Sequence, residues 1–91
     1  GHLPREADPK LLWARHHPES YPIEINTASR TRLLRIPGIG PISADKILKR
    51  RQQGKLRRFD HAGISGALAR RAAPFVLFDG RRPSFQLSMW D

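Results

Sequence analysis

The segment Leu33-Leu34-Arg35-Ile36-Pro37-Gly38-Ile39-Gly40-Pro41 is the strongest constraint on how this chain folds. Prolines at 37 and 41 and glycines at 38 and 40 interrupt any regular element, so no single helix can run through it. After the turn Ala44, Ile47 and Leu48 fall at helical spacing and should face the core, as should Leu34 and Ile36 before it. The pattern predicts two helices joined by a tight hairpin. In such a hairpin the N–H groups of Gly38, Gly40, Ile42 and Ser43 face outward at the start of the second helix, where the helix dipole adds attraction for an anion. Glycine also lets main chain approach a ligand closely. Phosphate is the anion such a turn can hold without reading any base. The competing reading is a helix–helix connection that needs glycine for packing alone.

Charge is concentrated around this turn. Residues 30–58 hold ten Lys or Arg against one acid, Asp45, which equals the excess of +9 in the whole 91-residue chain. The flanking segments are nearly neutral. Concentration of this kind points to a polyanion-facing surface, with a solvated basic face as the alternative. Lys46, Lys49, Arg50, Arg51, Lys55, Arg57 and Arg58 are the candidate backbone clamps, and Arg30, Arg32 and Arg35 extend the set. If about five of them each neutralise a phosphate, log K falls with log salt at a slope of roughly −4 to −5.

Capping chemistry places the other elements. Residues 1–7 read as disordered or as a tag-cleavage scar, which predicts a fragment of a larger protein. Asp8-Pro9 is a helix start, with a cap oxygen followed by proline at the first helical position. That helix ends near His17, before Pro18. Ile23-Glu24-Ile25 is short and extended. Thr27 or Ser29 caps the next helix, which runs to about Arg35; the following one runs from Pro41 to about Gln53, with Gly54 as its C-cap. Phe59-Asp60-His61-Ala62 followed by Gly63-Ile64-Ser65-Gly66 is a weaker echo of the first unit, and 67–73 is helical in composition. Phe75-Val76-Leu77-Phe78 is packed core or a short strand. The expected architecture is all-α: a compact bundle of four to five short helices spanning residues 8–78, with one clear hairpin and a degenerate second one, followed by a mobile tail over 79–91.

The hairpin unit resembles the helix-hairpin-helix family of DNA-binding modules. The resemblance rests on Asn26-Thr27-Ala28, Leu33-Leu34, the run from Ile36 to Pro41, Ala44 and Ile47-Leu48. It is also similar to the unit of competence-type DNA receptors. Together with Asp8-Pro9-Lys10-Leu11, Trp13-Ala14, His17-Pro18-Glu19 and Ala72-Ala73-Pro74-Phe75, the chain looks like the C-terminal region of radical-SAM proteins associated with DNA modification or repair. The resemblance implies an accessory domain whose catalytic partner lies elsewhere, and a monovalent cation held by hairpin carbonyls. One departure stands out: many DNA-binding relatives carry Lys after the second-helix proline, where this chain has Ile42 followed by Ser43.

These features imply a sequence-nonspecific DNA-binding module, with double-stranded DNA as partner, no catalysis by this fragment and no cofactor beyond that cation. The tail residues Gln86, Leu87, Met89 and Trp90 resemble the bacterial sliding-clamp-binding motif, so the main alternative is a protein-interaction module recruiting the clamp. RNA binding and a lysine-based lyase are further alternatives. Cysteine is absent, which excludes thiolate metal sites and fits a cytoplasmic setting. His2, His16, His17 and His61 form no metal-ligand pattern. The apolar run at 72–78 is broken by Pro74 and too short to span a bilayer. Trp13, Tyr21, Phe59 and Phe75 read as core rather than base-stacking platforms.

Overall fold

A carboxylate and a proline start the first helix. The computed structural model describes residues 8–64 and 66–83, and Asp8 caps α1 (Pro9–His16) by accepting from the N–H groups of Lys10 at 3.1 Å and Leu11 at 3.4 Å. Pro9 costs no hydrogen bond there, because a first-turn N–H has no intrahelical partner. Pro18 then opens a 3-10 turn over Pro18–Ser20.

Next comes β1 (Ile23–Glu24), which pairs in parallel with β2 (Val76–Leu77) in the register Ile23↔Val76 and Glu24↔Leu77. The Ile25 N–H extends the ladder, donating to the Leu77 carbonyl at 2.9 Å. The chain is therefore mostly helical, as expected, and the two segments read as extended pair into a small parallel sheet beside the helices. β-Branched Ile23, Ile25 and Val76 suit extended backbone with both sides covered, and all three are buried. A ladder this short has no periodicity of its own to announce it.

Ser29 caps α2 (Arg30–Leu33), its hydroxyl accepting from the Arg32 N–H at 3.2 Å. The helix is one turn long and continues as a turn through Ile36, whose N–H reaches the Leu33 carbonyl. After the hairpin, α3 (Pro41–Arg50) buries Ala44 and Ile47. α3 ends at Arg50, three residues before the expected Gln53, and Arg51 with ordinary right-handed geometry is its cap in place of Gly54. The echo unit follows as a 3-10 turn (Phe59–Ala62), Gly63, Ile64 and α4 (Gly66–Ala72), then a second 3-10 turn (Ala73–Phe75) leading into β2. Among the described residues there are four α-helices. The core lies between the two units: Leu33, Ile36, Ile39 and Ile47 from the first meet Phe59, Ile64 and Ala72 from the second.

Two polar side chains fasten the loops. Asn26, read from sequence as part of a capping cluster, is a cross-link. Its amide donates to the Leu56 carbonyl at 2.9 Å and its oxygen accepts the Leu56 N–H at 2.7 Å, pairing like one rung of a sheet. Glu24 accepts from the N–H groups of Asn26, Asp79 and Gly80 and from the Asn26 side chain, at 2.7 to 3.1 Å. The turn at Asp79-Gly80 is thereby tied to β1, and Phe78 pairs with Arg81 beyond it.

Burial alone would raise the Glu24 pKa, but these hydrogen bonds to the charged form outweigh it and hold the carboxyl below its usual value. A depressed folded-state pKa makes the contribution complete above the unfolded value of about 4.3 and lost as pH falls through the lower folded value. Glu24→Gln is expected to flatten the acid limb of the stability–pH curve below about pH 4.3. Glu24→Ala should cost about 1–3 kcal/mol at neutral pH, because it strands three N–H donors. Thermal melts from pH 3 to 7 check both; an unchanged acid limb in the Gln variant would remove Glu24 from this role.

Candidate phosphate-binding site

The hairpin is built by burying one side chain and freeing the amides around it. Ile39 is fully buried, and its N–H donates to the Ile36 carbonyl at 3.0 Å. The first helical bond of α3 runs from the Ala44 N–H to the Gly40 carbonyl at 2.8 Å, and Gly40 has no side-chain cap to offer. The N–H groups of Gly38, Gly40, Ile42 and Ser43 have no acceptor among the described residues.

The two glycines serve different ends. Gly38 has φ +90, and an added Cβ would lie 2.8 Å from the Leu68 carbonyl oxygen and 3.2 Å from Arg71 Cβ. Its backbone is pressed against α4, so the packing alternative holds for this residue. Gly40 has φ −102 and a Cβ there would meet nothing within 4 Å, so its face is open to a ligand. Pro37 is buried, while Ile42 is 75 % exposed beside the open amides.

Along α3, Ser43, Lys46 and Arg50 follow at intervals of three and four residues and share one face, with Ile42 and Lys49 beside them. The core-facing residues Ala44 and Ile47 lie on the other side. The row ends at the second unit, where Lys46 Cδ and Arg50 Cζ lie 3.5 Å from the position of a Cβ on Gly63. The Arg50 guanidinium donates to the His61 carbonyl at 3.1 Å. Lys46, Lys49, Arg50, Lys55 and His61 line an open basin of about 660 Å³, with Gln53, Gly54 and Leu56 completing the wall. No carboxylate lines it.

The remaining expected clamps divide. Lys46 and Lys49 make no ion pair or hydrogen bond within the described residues. Arg51 turns inward and donates to the carbonyls of Ile25 at 3.0 Å and Ala28 at 2.8 Å, so it belongs to the scaffold rather than to the basic face. Lys55 and Arg57 pair with Asp79 at 3.3 and 3.7 Å, and Arg58 with Asp60 at 3.0 Å. Arg30 is bound by Asp45 at 2.9 Å, and Arg35 lies over the Trp13 ring, 4.8 Å from its centroid. Exposed pairs like these are weak and exchange readily. The tail residues Gln86, Leu87, Met89 and Trp90 lie outside the described residues.

The echo unit shares two features with the first hairpin, and its Ser65 lies outside the described residues. Gly63 has φ +75 as Gly38 has +90, and Ile64 is buried as Ile39 is. Its first arm is a single 3-10 turn, the reason it reads as degenerate in sequence. Of the aromatic residues, Phe59 is buried, whereas Trp13, Tyr21 and Phe75 form an edge-to-face chain at the rim, with His17 stacked on Trp13 at 4.0 Å. One participant had no sequence signal: Lys10 of α1 donates its ammonium to the Ile39 carbonyl, 29 residues away.

Gly38→Ala is expected to cost at least about 2 kcal/mol, combining the left-handed backbone with the clash against α4. Gly40→Ala should change stability by less than about 1 kcal/mol. Denaturant melts distinguish them; equal costs would contradict this division between the two glycines.

Residues 19–63 match the family model of the helix-hairpin-helix motif. The match runs from the turn before β1 through Gly63 and so contains both arms of the first hairpin. No curated protein and no solved structure matches the chain. No helix among the described residues is long and apolar enough to cross a membrane. The helix-hairpin-helix motif is typically nucleic-acid binding.

Proposed function

We propose that the chain is a DNA-binding accessory module that grips the phosphate backbone of a duplex without reading sequence. The observation that carries this reading is the alignment of four open amides with one cationic row. The N–H groups of Gly38, Gly40, Ile42 and Ser43 stand at the start of α3, and Ser43, Lys46 and Arg50 continue the same face toward Gly63. From Ser43 to Arg50 the helix rises about 10 Å, so contacts at its two ends fall on different phosphates of a strand. The basin lined by Lys46, Lys49, Arg50 and Lys55 then receives the backbone beyond the amides. Contacts of this kind fix position and orientation and carry no base information. In a larger DNA modification or repair protein, the module's part is to bring an attached catalytic domain to DNA.

Of the seven expected clamps, Lys46, Lys49 and Arg50 remain available once Arg51 and the cations paired with Asp79 and Asp60 are set aside, fewer than the sequence promises. Anisotropy of a labelled duplex across a KCl series is therefore expected to give a slope of about −3 in log K against log salt. Lys46→Ala with Lys49→Ala should lower the slope by about 2 units and weaken all duplex sequences alike. Ile42→Lys should strengthen duplex binding, because it adds a cation beside the amides at an exposed position. Matched single-stranded DNA and RNA run in parallel decide the partner. Absent or salt-insensitive binding to all three would overturn the reading.

A further inference from the structure

We propose that Lys10 is the built-in cation of the hairpin, its ammonium taking the place at the Ile39 carbonyl that a solution monovalent ion would otherwise hold. The hairpin is then indifferent to potassium or sodium. The monovalent cation implied by the helix-hairpin-helix resemblance does not fit this site, because a protein ammonium is already bonded to the carbonyl.

The geometry of the turn leaves that carbonyl exposed to such a partner. Helical bonding in α3 begins at the Gly40 carbonyl, so the Ile39 oxygen, one residue earlier, lies outside the ladder. It sits between a fully buried side chain and the open amides. A carbonyl in that position needs a donor, and Lys10 supplies one from another element.

The element that carries Lys10 is itself held in place. Asp8 caps α1 through the N–H groups of Lys10 and Leu11, and its second oxygen pairs with the Arg71 guanidinium of α4. Arg71 Cβ is also one of the atoms against which the Gly38 backbone is pressed. Asp8, Lys10, Arg71, Gly38 and Ile39 thus form one cluster joining α1, α4 and the hairpin. Two cations and one carboxylate leave it a net positive charge, which opposes entry of a further cation. Burial lowers the Lys10 pKa, Asp8 opposes that effect and Arg71 adds to it, as expected for an ammonium partly withdrawn from water beside both groups.

The stability arm of the test is independent of the nucleic-acid reading; the binding arm rests on it. Melting temperatures of the full chain are compared in KCl and in tetramethylammonium chloride at equal ionic strength. Wild type is expected to melt at the same temperature in both. Lys10→Met, with the carbonyl uncovered, should melt about 2 °C or more higher in KCl, because an ion then binds the folded form alone. In the binding arm, wild-type duplex affinity should be equal in the two salts. Lys10→Met affinity should fall roughly tenfold in tetramethylammonium and recover in potassium, the scale of one charged hydrogen bond. Should Lys10→Met fail to fold, the wild-type comparison still decides: a wild type that melts higher, or binds several-fold more tightly, in potassium overturns the inference. A Lys10→Met variant with identical behaviour in both salts overturns it too. Loss of all duplex binding with the melting pattern intact would refute the proposed function and leave the Lys10 assignment standing.

Discussion

The close approach of the Gly38 backbone to α4 is the constraint on which the remaining geometry depends. A main chain can come within van der Waals distance of the Leu68 carbonyl only without a Cβ and only with a left-handed turn, and Gly38 meets both conditions. With the turn held against α4, Ile39 is buried in the core between the two units, and the amides of Gly40, Ile42 and Ser43 that follow have no acceptor among the described residues. The same cause therefore produces the packing and the open donors. The packing role and the ligand role of a two-glycine hairpin are not alternatives here: they fall on different residues, two positions apart.

Local chemistry was legible from the sequence wherever a single residue decides a helix end. Asp8 and Ser29 start their helices as capping rules require, because the cap and the N–H it serves are within three residues of each other, and Pro41 starts α3 at a first-turn position where its missing N–H costs no bond. What escaped depends on partners far along the chain. The β1–β2 ladder joins residues more than fifty apart, and the Asn26–Leu56 rung spans thirty. Arg51 looks like its basic neighbours in sequence, yet one further step around α3 turns it from the row to the core carbonyls of Ile25 and Ala28. Helical spacing allows that inward position; only the tertiary fold supplies the acceptors.

Charge shows the same separation between what composition records and what the fold uses. The excess of +9 over residues 30–58 counts every side chain equally. In three dimensions Asp45, Asp60 and Asp79 each engage one or two of these cations, and the carbonyls of Ser20, Ile25, Ala28 and His61 engage others. Lys46 and Lys49 remain, with Arg50 held so that its guanidinium lies against His61 and Gly63. The basic face is consequently narrower than its sequence segment and aligned with α3 rather than spread around the molecule.

That alignment bears on how salt acts on the proposed complex. A phosphate against the hairpin would meet neutral N–H groups, a helix dipole and an ammonium whose head is occupied by the Ile39 carbonyl, while the exposed neighbouring side chain, Ile42, carries no charge. Such contacts release few counterions, because counterion release follows the charges that neutralise phosphates. The cations of the α3 row are exposed and do release them. Binding through the hairpin and binding through the row are thus separable by ionic strength: added salt weakens the row first, and the affinity that survives measures the turn of main chain itself.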